Sequence, residues 1–256
     1  INGGPDGWYR EWHANGKKDE EGLYKYGKKG GAWTGWYKNG EKRYYGKYVD
    51  GKPDGQYTEL DNKGRLTKNI EYELGSIISE YHILRDENGV TEYHKKNGVL
   101  AGKWTRWYSN GNKAEEGTYK NGKRSGEWNG WYRSDKKNYS CVYEDGKRAG
   151  NYREWNSKGK KVKDIDYSNG KRIREYLVIR DGSGFMEINK VYGALSGSWT
   201  KWYADGKKEE EGKYKSGTKV GTWSRFSMSG TIVEEWNFDN KGRNLYEITY
   251  YDNGTV

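Results

Sequence analysis

Few side chains in this sequence are suited to catalysis or metal binding, and they are scattered. The histidines are His13, His82 and His94, and the one cysteine is Cys141. His82 and His94 could approach each other across a hairpin, but two ligands do not complete a zinc site. A lone cysteine forms no disulfide framework and no CxxC site. The sequence therefore predicts no metal and no cofactor, and it predicts that Cys141 is a small buried thiol.

The carboxylates do not point to an active site either. Acidic runs such as Glu115–Glu116 and Glu209–Glu211 recur along the chain, and a recurring group indicates structure or solvation. The segment from Asp181 to Gly184 resembles a calcium loop but lacks further acidic ligands, so a hairpin turn is expected there. No catalytic residue is predicted, and the chain is interpreted as a protein without enzymatic activity.

Six tryptophans have the type and spacing of a binding surface. Alternation along strands would place them on a second hairpin face, flanked by polar residues. If that face is exposed, the rings could stack on sugars or bases while lysines supply positive charge. If other hairpins pack on it, the same rings are core, and both interpretations are open. This tryptophan column comprises Trp12, Trp36, Trp107, Trp131, Trp155 and Trp202.

The elements that must position these rings are tandem repeats. Eight segments read approximately G-x-W-x-x-W-Y-x-x-G, beginning at Gly7, Gly31, Gly55, Gly102, Gly126, Gly150, Gly197 and Gly221. The steps between these glycines are 24, 24, 47, 24, 24, 47 and 24 residues, so a 95-residue superrepeat overlies the 24-residue repeat. Such self-similarity is typical of repeat architectures.

Each repeat is predicted to be a β-hairpin, because Asn-Gly or Asp-Gly pairs lie between β-prone runs. A two-residue turn at Asn110–Gly111 would place Ser109 opposite Asn112 and Trp104 opposite Gly117. The same count pairs Trp33 with Gly46 and Trp199 with Gly212. A large ring that covers a cross-strand glycine stabilises a sheet.

The repeat resembles the MORN-repeat family, in a bacterial variant described as an antitoxin family. The matching residues are Gly-x-Trp-x-x-Trp-Tyr-x-Asn-Gly-x-Lys-x-x-Glu-Gly-x-Tyr-x-x-Gly, clearest over 102–122 and 197–217. Departures are Ile70, Cys141 and Ile165 at the second-strand glycine, and Ser134–Asp135 at one turn. The resemblance implies stacked hairpins with a scaffolding role and no catalytic residue. Choline- or glucan-binding repeats are a rival resemblance, disfavoured by the 24-residue step and the Glu-Gly pair.

The predicted fold is all-β, an elongated single-layer array of tandem hairpins forming one continuous repeat domain. It comprises three hairpins in 1–75, a divergent hairpin in 76–101, three hairpins in 102–170, a second divergent hairpin in 171–196 and terminal hairpins in 197–256. The divergent hairpins have aliphatic strands and are expected to change how neighbouring repeats stack. Ile1–Gly7 matches Val49–Gly55, so the chain is expected to begin inside a repeat, with caps lost or the array continuing in a longer protein.

Composition limits the function classes. A net charge of +10 permits an anionic partner, and no apolar run is long enough to span a membrane. The expected function is a repeat scaffold that binds another protein. Alternatives are a cell-surface module for carbohydrate or an anionic polymer, and an antitoxin-type neutralising partner. Specific nucleic-acid binding is not expected. The composition fits either a secreted or a cytoplasmic protein, and a secreted or cell-surface location is only slightly favoured.

Overall fold

The computed structural model describes residues 4–251, and its regular elements are all β-strands. The predicted all-β fold of tandem hairpins is confirmed, and in this range there is no helix that could cross a membrane. The expected start inside a repeat, at Ile1–Gly7, lies partly outside the described residues. The chain divides into two compact units, residues 1–125 and 126–256.

Each strand of the first unit pairs with the next one along the chain in antiparallel order, so the unit is a meander. Its strands are β1 (Gly7–Trp12), β2 (Lys18–Lys25), β3 (Lys28–Trp36), β4 (Lys42–Val49), β5 (Lys52–Leu60), β6 (Leu66–Glu73), β7 (Ser76–Asp86), β8 (Gly89–Lys96), β9 (Val99–Tyr108) and β10 (Lys113–Lys120).

The second unit is also an antiparallel meander, in which β16 pairs with both β17 and β18. Its strands are β11 (Lys123–Trp131), which begins three residues before the unit, β12 (Lys137–Glu144), β13 (Lys147–Trp155), β14 (Lys161–Ser168), β15 (Lys171–Asp181), β16 (Gly184–Val191), β17 (Ala194–Leu195), β18 (Gly197–Tyr203), β19 (Lys208–Lys215), β20 (Thr218–Phe226), β21 (Ile232–Phe238) and β22 (Asn244–Thr249).

The turn inside each repeat differs from the predicted one. The Tyr108 N–H donates to Asn112 O at 2.8 Å, which makes a three-residue loop in which only Gly111 has a positive φ. The expected pairing of Ser109 with Asn112 is therefore wrong. A β-bulge between Lys113 and Glu115 then shifts the register back by one residue, so Trp104 pairs with Gly117 as predicted.

The two-residue turns with positive φ at both positions lie between repeats instead. Asn121 and Gly122 have φ of 50° and 76°, and Asp50 and Gly51 have 48° and 83°. This conformation matches the right-handed twist of the flanking strands, and Asn, Asp and Gly adopt it at low cost. The two ends of the strands therefore carry different turn types.

The tryptophan rings contact glycines of the preceding hairpin. Trp33 pairs in register with Gly46, and Trp199 pairs with Gly212, as predicted. The Trp33 ring, however, lies over Gly22 on β2, where a Cβ atom would be 2.2 Å from the ring. The prediction that each ring covers the glycine of its own hairpin is wrong for Trp33, because the ring leans towards the previous strand. The contact therefore joins consecutive repeats.

Polar contacts hold that ring in place. The indole N–H of Trp33 donates to the carbonyl oxygen of Leu23 at 3.2 Å. The Lys29 ammonium lies 3.9 Å from the ring centroid and is paired with Glu20 at 2.8 Å. The same set recurs 190 residues later, as Glu210, Gly212, Lys219 and Trp223. Each set combines ring burial, an indole hydrogen bond and a cation–π contact.

The first tryptophan of the G-x-W-x-x-W motif is fully buried in some repeats and only partly buried in others. Trp33, Trp128 and Trp223 are at most 1% exposed, whereas Trp104 and Trp199 are only partly buried. Both partly buried rings follow a divergent hairpin. Tyr93 on β8 pairs with Trp104, so no glycine opens space for the ring on that strand. Where the second-strand glycine is absent, Ile70, Cys141 and Ile165 occupy the position and are buried, and Cys141 is in no disulfide.

The two divergent hairpins share one geometry. Strands β7 and β15 have 11 residues each, and β7–β8 and β15–β16 pair without a bulge. Their tips are closed by Asp86 and Asp181, whose carboxylates accept the N–H groups of Gly89 at 3.0 Å and Gly184 at 3.1 Å. The segment from Asp181 to Gly184 is thus a hairpin turn.

The ring-on-glycine contact generates a stability prediction. We expect Gly22→Ala to destabilise the first unit by about 1–3 kcal/mol, because the new methyl group overlaps the Trp33 ring. Gly30→Ala is the matched control, since its Cβ meets nothing closer than 3.8 Å and it should change stability by less than about 0.5 kcal/mol. Urea unfolding of both variants measures the difference. Equal effects of the two substitutions would show that the ring does not need the glycine.

Burial also ranks the tryptophans. We expect Trp128→Ala to cost about 3–5 kcal/mol because the ring is fully buried, and Trp104→Ala to cost about 1–2 kcal/mol. Denaturant midpoints of the two variants test this order. A larger loss for Trp104→Ala would contradict the assignment of the rings to buried and partly buried groups.

Candidate binding surface

The tryptophan column lies where the first strand of each repeat reaches its turn. Trp12 ends β1, Trp36 ends β3, and the other four occupy the last or next-to-last residue of their strands. Trp12 is 55% exposed and the remaining five are partly buried. The rings are therefore neither core nor a freely exposed platform. Three of them belong to the first unit and three to the second.

Every ring of the column faces a lysine across its hairpin. The bulge before each tryptophan brings it opposite the first lysine of the returning strand. These lysine–tryptophan pairs, which we call the lysine–tryptophan edge, are Trp12 with Lys18, Trp36 with Lys42, Trp107 with Lys113, Trp131 with Lys137, Trp155 with Lys161 and Trp202 with Lys208.

Lysines also lie over aromatic rings of the next repeat. The Lys18 ammonium is 5.3 Å from the Trp36 centroid, and Lys137 is 5.7 Å from that of Trp155. Lys208 lies 5.9 Å from Phe226, which occupies the column position on β20. At this distance a cation–π attraction orients both groups. Rings and cations thus alternate from one repeat to the next within each unit.

Hydrogen bonds between tips set the spacing of consecutive repeats. The hydroxyl groups of Tyr37, Tyr132 and Tyr203 each donate to a backbone oxygen 23 residues later, at 2.8, 2.8 and 2.9 Å. The Nε2 atom of His13 is 3.0 Å from the oxygen of Trp36, so this histidine occupies the tyrosine position. These bonds tie the lysine–tryptophan edge to a rigid frame.

The remaining histidines do not converge. His82 pairs with Tyr93 and His94 pairs with Tyr81, so the two imidazoles lie on opposite faces of the hairpin. The possibility that they approach each other is therefore wrong. The His82 ring nitrogen is 2.8 Å from the carboxylate of Glu80, a buried residue. Among residues 4–251, no group of three or more His, Cys, Asp or Glu side chains is placed to hold a metal ion.

The lysines of the edge are the functional candidates that sequence reasoning missed. The signal was present, because each tryptophan of the column is followed by a lysine six residues later. A two-residue turn without a bulge would not have put these residues opposite each other. The six-residue spacing places a tryptophan opposite a lysine only because the hairpin has a three-residue loop and a bulge.

Comparisons with known proteins do not identify a family. No family model and no curated protein matches the chain. Among solved structures, the Photorhabdus luminescens Tc holotoxin pore is matched at 12% identity with a TM-score of 0.23, over 97% of this chain and 15% of that one. A TcdB2–TccC3 structure without its hypervariable C-terminal region is matched at 10% identity and a TM-score of 0.24, over 97% and 17%. At these values the likeness carries no argument, and the MORN resemblance stays a prediction.

The tips contain carboxylates with a shifted pKa. Asp61 accepts the backbone N–H groups of Lys63 and Arg65, both at 2.9 Å, and pairs with the Arg65 guanidinium at 2.7 Å. The N–H of Arg65 is the main cause that lowers the pKa of Asp61 to about 2. Asp239 has the same arrangement with Arg243, and its pKa is also lowered.

Because the folded-state pKa of Asp61 is depressed, its contribution to stability is present above its ordinary value of 3.8 and is lost as pH falls through about 2. We expect a carboxyl titration followed by NMR to give a midpoint near 2 for this side chain. In Asp61→Asn the free energy of unfolding should fall less than in the unaltered chain as the pH is lowered over that range. A midpoint at or above 3.8 would show that the tip does not hold the charged form.

Proposed function

We propose that this chain is a non-enzymatic repeat scaffold that binds a protein partner along the lysine–tryptophan edge of each unit. The observation that carries the proposal is the recurrence of one pair, a tryptophan that is not fully buried directly opposite a lysine, at six places. A repeated pair on a rigid frame suits contact with an extended partner, because each repeat adds an equivalent increment of binding.

The physical state of the rings supports a protein partner. Tryptophan is enriched among the residues that dominate binding energy at protein interfaces. The frame holds each ring before binding, since the tips are joined by tyrosine hydrogen bonds and lysines lie over Trp36 and Trp155. Such preorganisation lowers the entropic cost of association. The same lysines cover ring faces that a sugar or base would need for stacking, which gives that mode less support.

Charge defines the chemistry of the partner. Four of the six edge lysines form an ion pair with a carboxylate three residues later, as in Lys18–Glu21 at 2.6 Å and Lys208–Glu211 at 2.7 Å, and the attraction for a negative partner comes from the net charge of +10 of the whole chain. An extended acidic segment of a protein would pair its carboxylates with these ammonium groups and pack apolar side chains on the accessible parts of the rings.

A second candidate is an anionic polymer, favoured by a cluster of basic side chains in the second unit. The tips that follow β11 and β13 carry exposed basic residues and one acidic residue, Asp135. These basic residues are Arg133, Lys136, Lys137, Lys158, Lys160 and Lys161. Lys160 pairs with Glu187 and Lys161 pairs with Asp164. The excess of basic over acidic side chains in these tips gives a positive local field.

The test uses a displayed library of random peptides selected on the full chain. We expect acidic peptides, whose dissociation constants rise at least tenfold, about 1.4 kcal/mol, when the lysines of the edge become glutamine. The edge variant replaces Lys18, Lys42, Lys113, Lys137, Lys161 and Lys208. The matched control makes the same charge change at the turns between repeats, replacing Lys25, Lys28, Lys52, Lys120, Lys171 and Lys215.

The control should retain peptide affinity within about twofold, because it alters net charge equally and leaves the edge intact. Equal weakening in both variants would reduce the effect to net charge and contradict the proposal. Binding of dextran sulfate to the full chain and to both variants is measured in the same way. If dextran sulfate binds in an edge-dependent way while no selected peptide does, the second candidate replaces the first.

A further inference from the structure

A polar trough crosses one face of the second unit and meets the lysine–tryptophan edge at Lys161, whose ammonium lies 2.6 Å from the Asp164 carboxylate. It has a volume of about 470 Å³ and runs over β13, β14, β15, β16 and β18. Residues directly opposite each other on neighbouring strands form its first row, which is Arg153, Asp164, Tyr176 and Asn189. A second row, parallel to the first, contains Asn151, Asp166 and Arg174. The volume is in the range of small-molecule sites.

The charges in the trough cancel locally. Asp164 pairs with Lys161 at 2.6 Å and with Arg153 at 3.6 Å, and Arg174 pairs with Asp166, which also accepts a hydrogen bond from Asn151. The lining also contains Glu175 and Lys190, so three acidic and three basic side chains leave the lining without net charge, although the chain carries +10. An anionic ligand would meet two aspartates and a cationic ligand two arginines, so neither charge sign is favoured.

The paired side chains keep hydrogen-bonding capacity. A guanidinium has five N–H donors and a carboxylate has about four acceptor sites, and each ion pair uses only part of them. Donors and acceptors thus lie side by side along the trough. A hydroxyl group both donates and accepts, so vicinal hydroxyls can bridge an arginine and its aspartate without breaking the pair.

An aromatic ring stands in the middle of this polar frame. Tyr176 lies between Asp164 on one side and Asn189 on the other. Burial, with a smaller effect of Glu187, to which the hydroxyl is hydrogen-bonded, raises the pKa of Tyr176. The Lys161 ammonium lies 6.0 Å from the ring centroid, and the rest of the ring offers an apolar surface to the C–H groups of a ligand, while the neighbouring side chains engage polar groups.

We propose that this trough is a binding site for an uncharged, polyhydroxylated ligand of mono- or disaccharide size. The inference does not rest on the proposed function: Lys161 of the lysine–tryptophan edge pairs with Asp164, but none of the edge residues lines the trough, and the variants that test it leave the edge unchanged. Arg153, Asp164, Asp166 and Arg174 would bind the hydroxyl groups, and Tyr176 would contact the face of the sugar ring.

The first unit contains a natural comparison for the site. The superrepeat places an equivalent trough 95 residues earlier, where Tyr81 corresponds to Tyr176. There His94 replaces Asn189, and its ring lies 4.8 Å from that of Tyr81. Ser79 stands in place of Arg174, and the volume is only about 100 Å³. The same fold thus holds one open trough and one reduced one.

The test is calorimetry and saturation-transfer NMR of the full chain with cellobiose, lactose and mannobiose. We expect at least one of them to bind at one site per chain, with a dissociation constant of about 0.1–10 mM. Asn189→His copies the residue of the reduced trough and should weaken binding at least tenfold. Arg174→Ser, also copied from the first unit, should do the same, and both residue types are compatible with this backbone because the equivalent positions already hold them.

His94→Asn in the first unit is the matched control and should leave the affinity of the second-unit site unchanged. The proposal is overturned if none of the three disaccharides binds, or if Asn189→His leaves affinity intact in a variant with an unaltered melting temperature. It is also overturned if glucuronate or glucosamine binds more tightly than the neutral sugars, because a neutral trough should not favour either charge.

Discussion

The structure depends on the packing of an aromatic ring onto a glycine of the neighbouring strand. In each unit the strands pair with their neighbours along the chain, so the buried face is built mainly from rings and short residues on adjacent strands. Trp33 is 1% exposed because Gly22 lets the indole lie against the backbone of the previous hairpin. The large apolar area of tryptophan then replaces a conventional core of aliphatic side chains. The contact joins consecutive repeats because it crosses the boundary between them.

The turns at the two ends of the strands reinforce that contact in different ways. At the tips inside the repeats, Tyr37 and Tyr132 donate hydrogen bonds to the next repeat. At the turns between repeats, the N–H of Gly51 donates to Lys29 O and that of Gly122 to Leu100 O, both at 2.8 Å. These repeats are therefore joined to their neighbours at both ends of the strands. The recurring bonds place equivalent side chains in the same orientation in successive repeats of a unit.

Two surfaces result, and they differ in charge. The lysine–tryptophan edge carries mostly ion-paired lysines on a chain of net charge +10 and repeats with the 24-residue period, so it suits a long partner with distributed negative charge. The trough around Tyr176 is neutral and follows the 95-residue superrepeat, so it suits a small ligand. Its first-unit equivalent is reduced because the imidazole of His94 lies against Tyr81, where the second unit has Asn189. The 24-residue repeat thus generates the lysine–tryptophan edge, which extends along a unit, and the 95-residue superrepeat generates the trough, which is local.

Much of the fold could be predicted from the sequence because strand pairing is local and periodic. The 24-residue step, the glycine-containing turns and the alternation of side chains were enough to predict antiparallel hairpins and the pairing of Trp104 with Gly117. The pairing emerged correctly although the turn was wrong, since the longer loop and the bulge displace the register by one residue in opposite directions.

Only the tertiary structure decided which rings are buried, what they cover and what stands beside them. Trp104 and Trp128 occupy equivalent positions in the repeat, yet only Trp128 is fully buried, because burial depends on the strand before it. The lysine opposite each column tryptophan and the open trough likewise arise from neighbouring strands. A repeat motif specifies the residues within one hairpin, whereas the packing of a side chain is determined by the hairpin next to it.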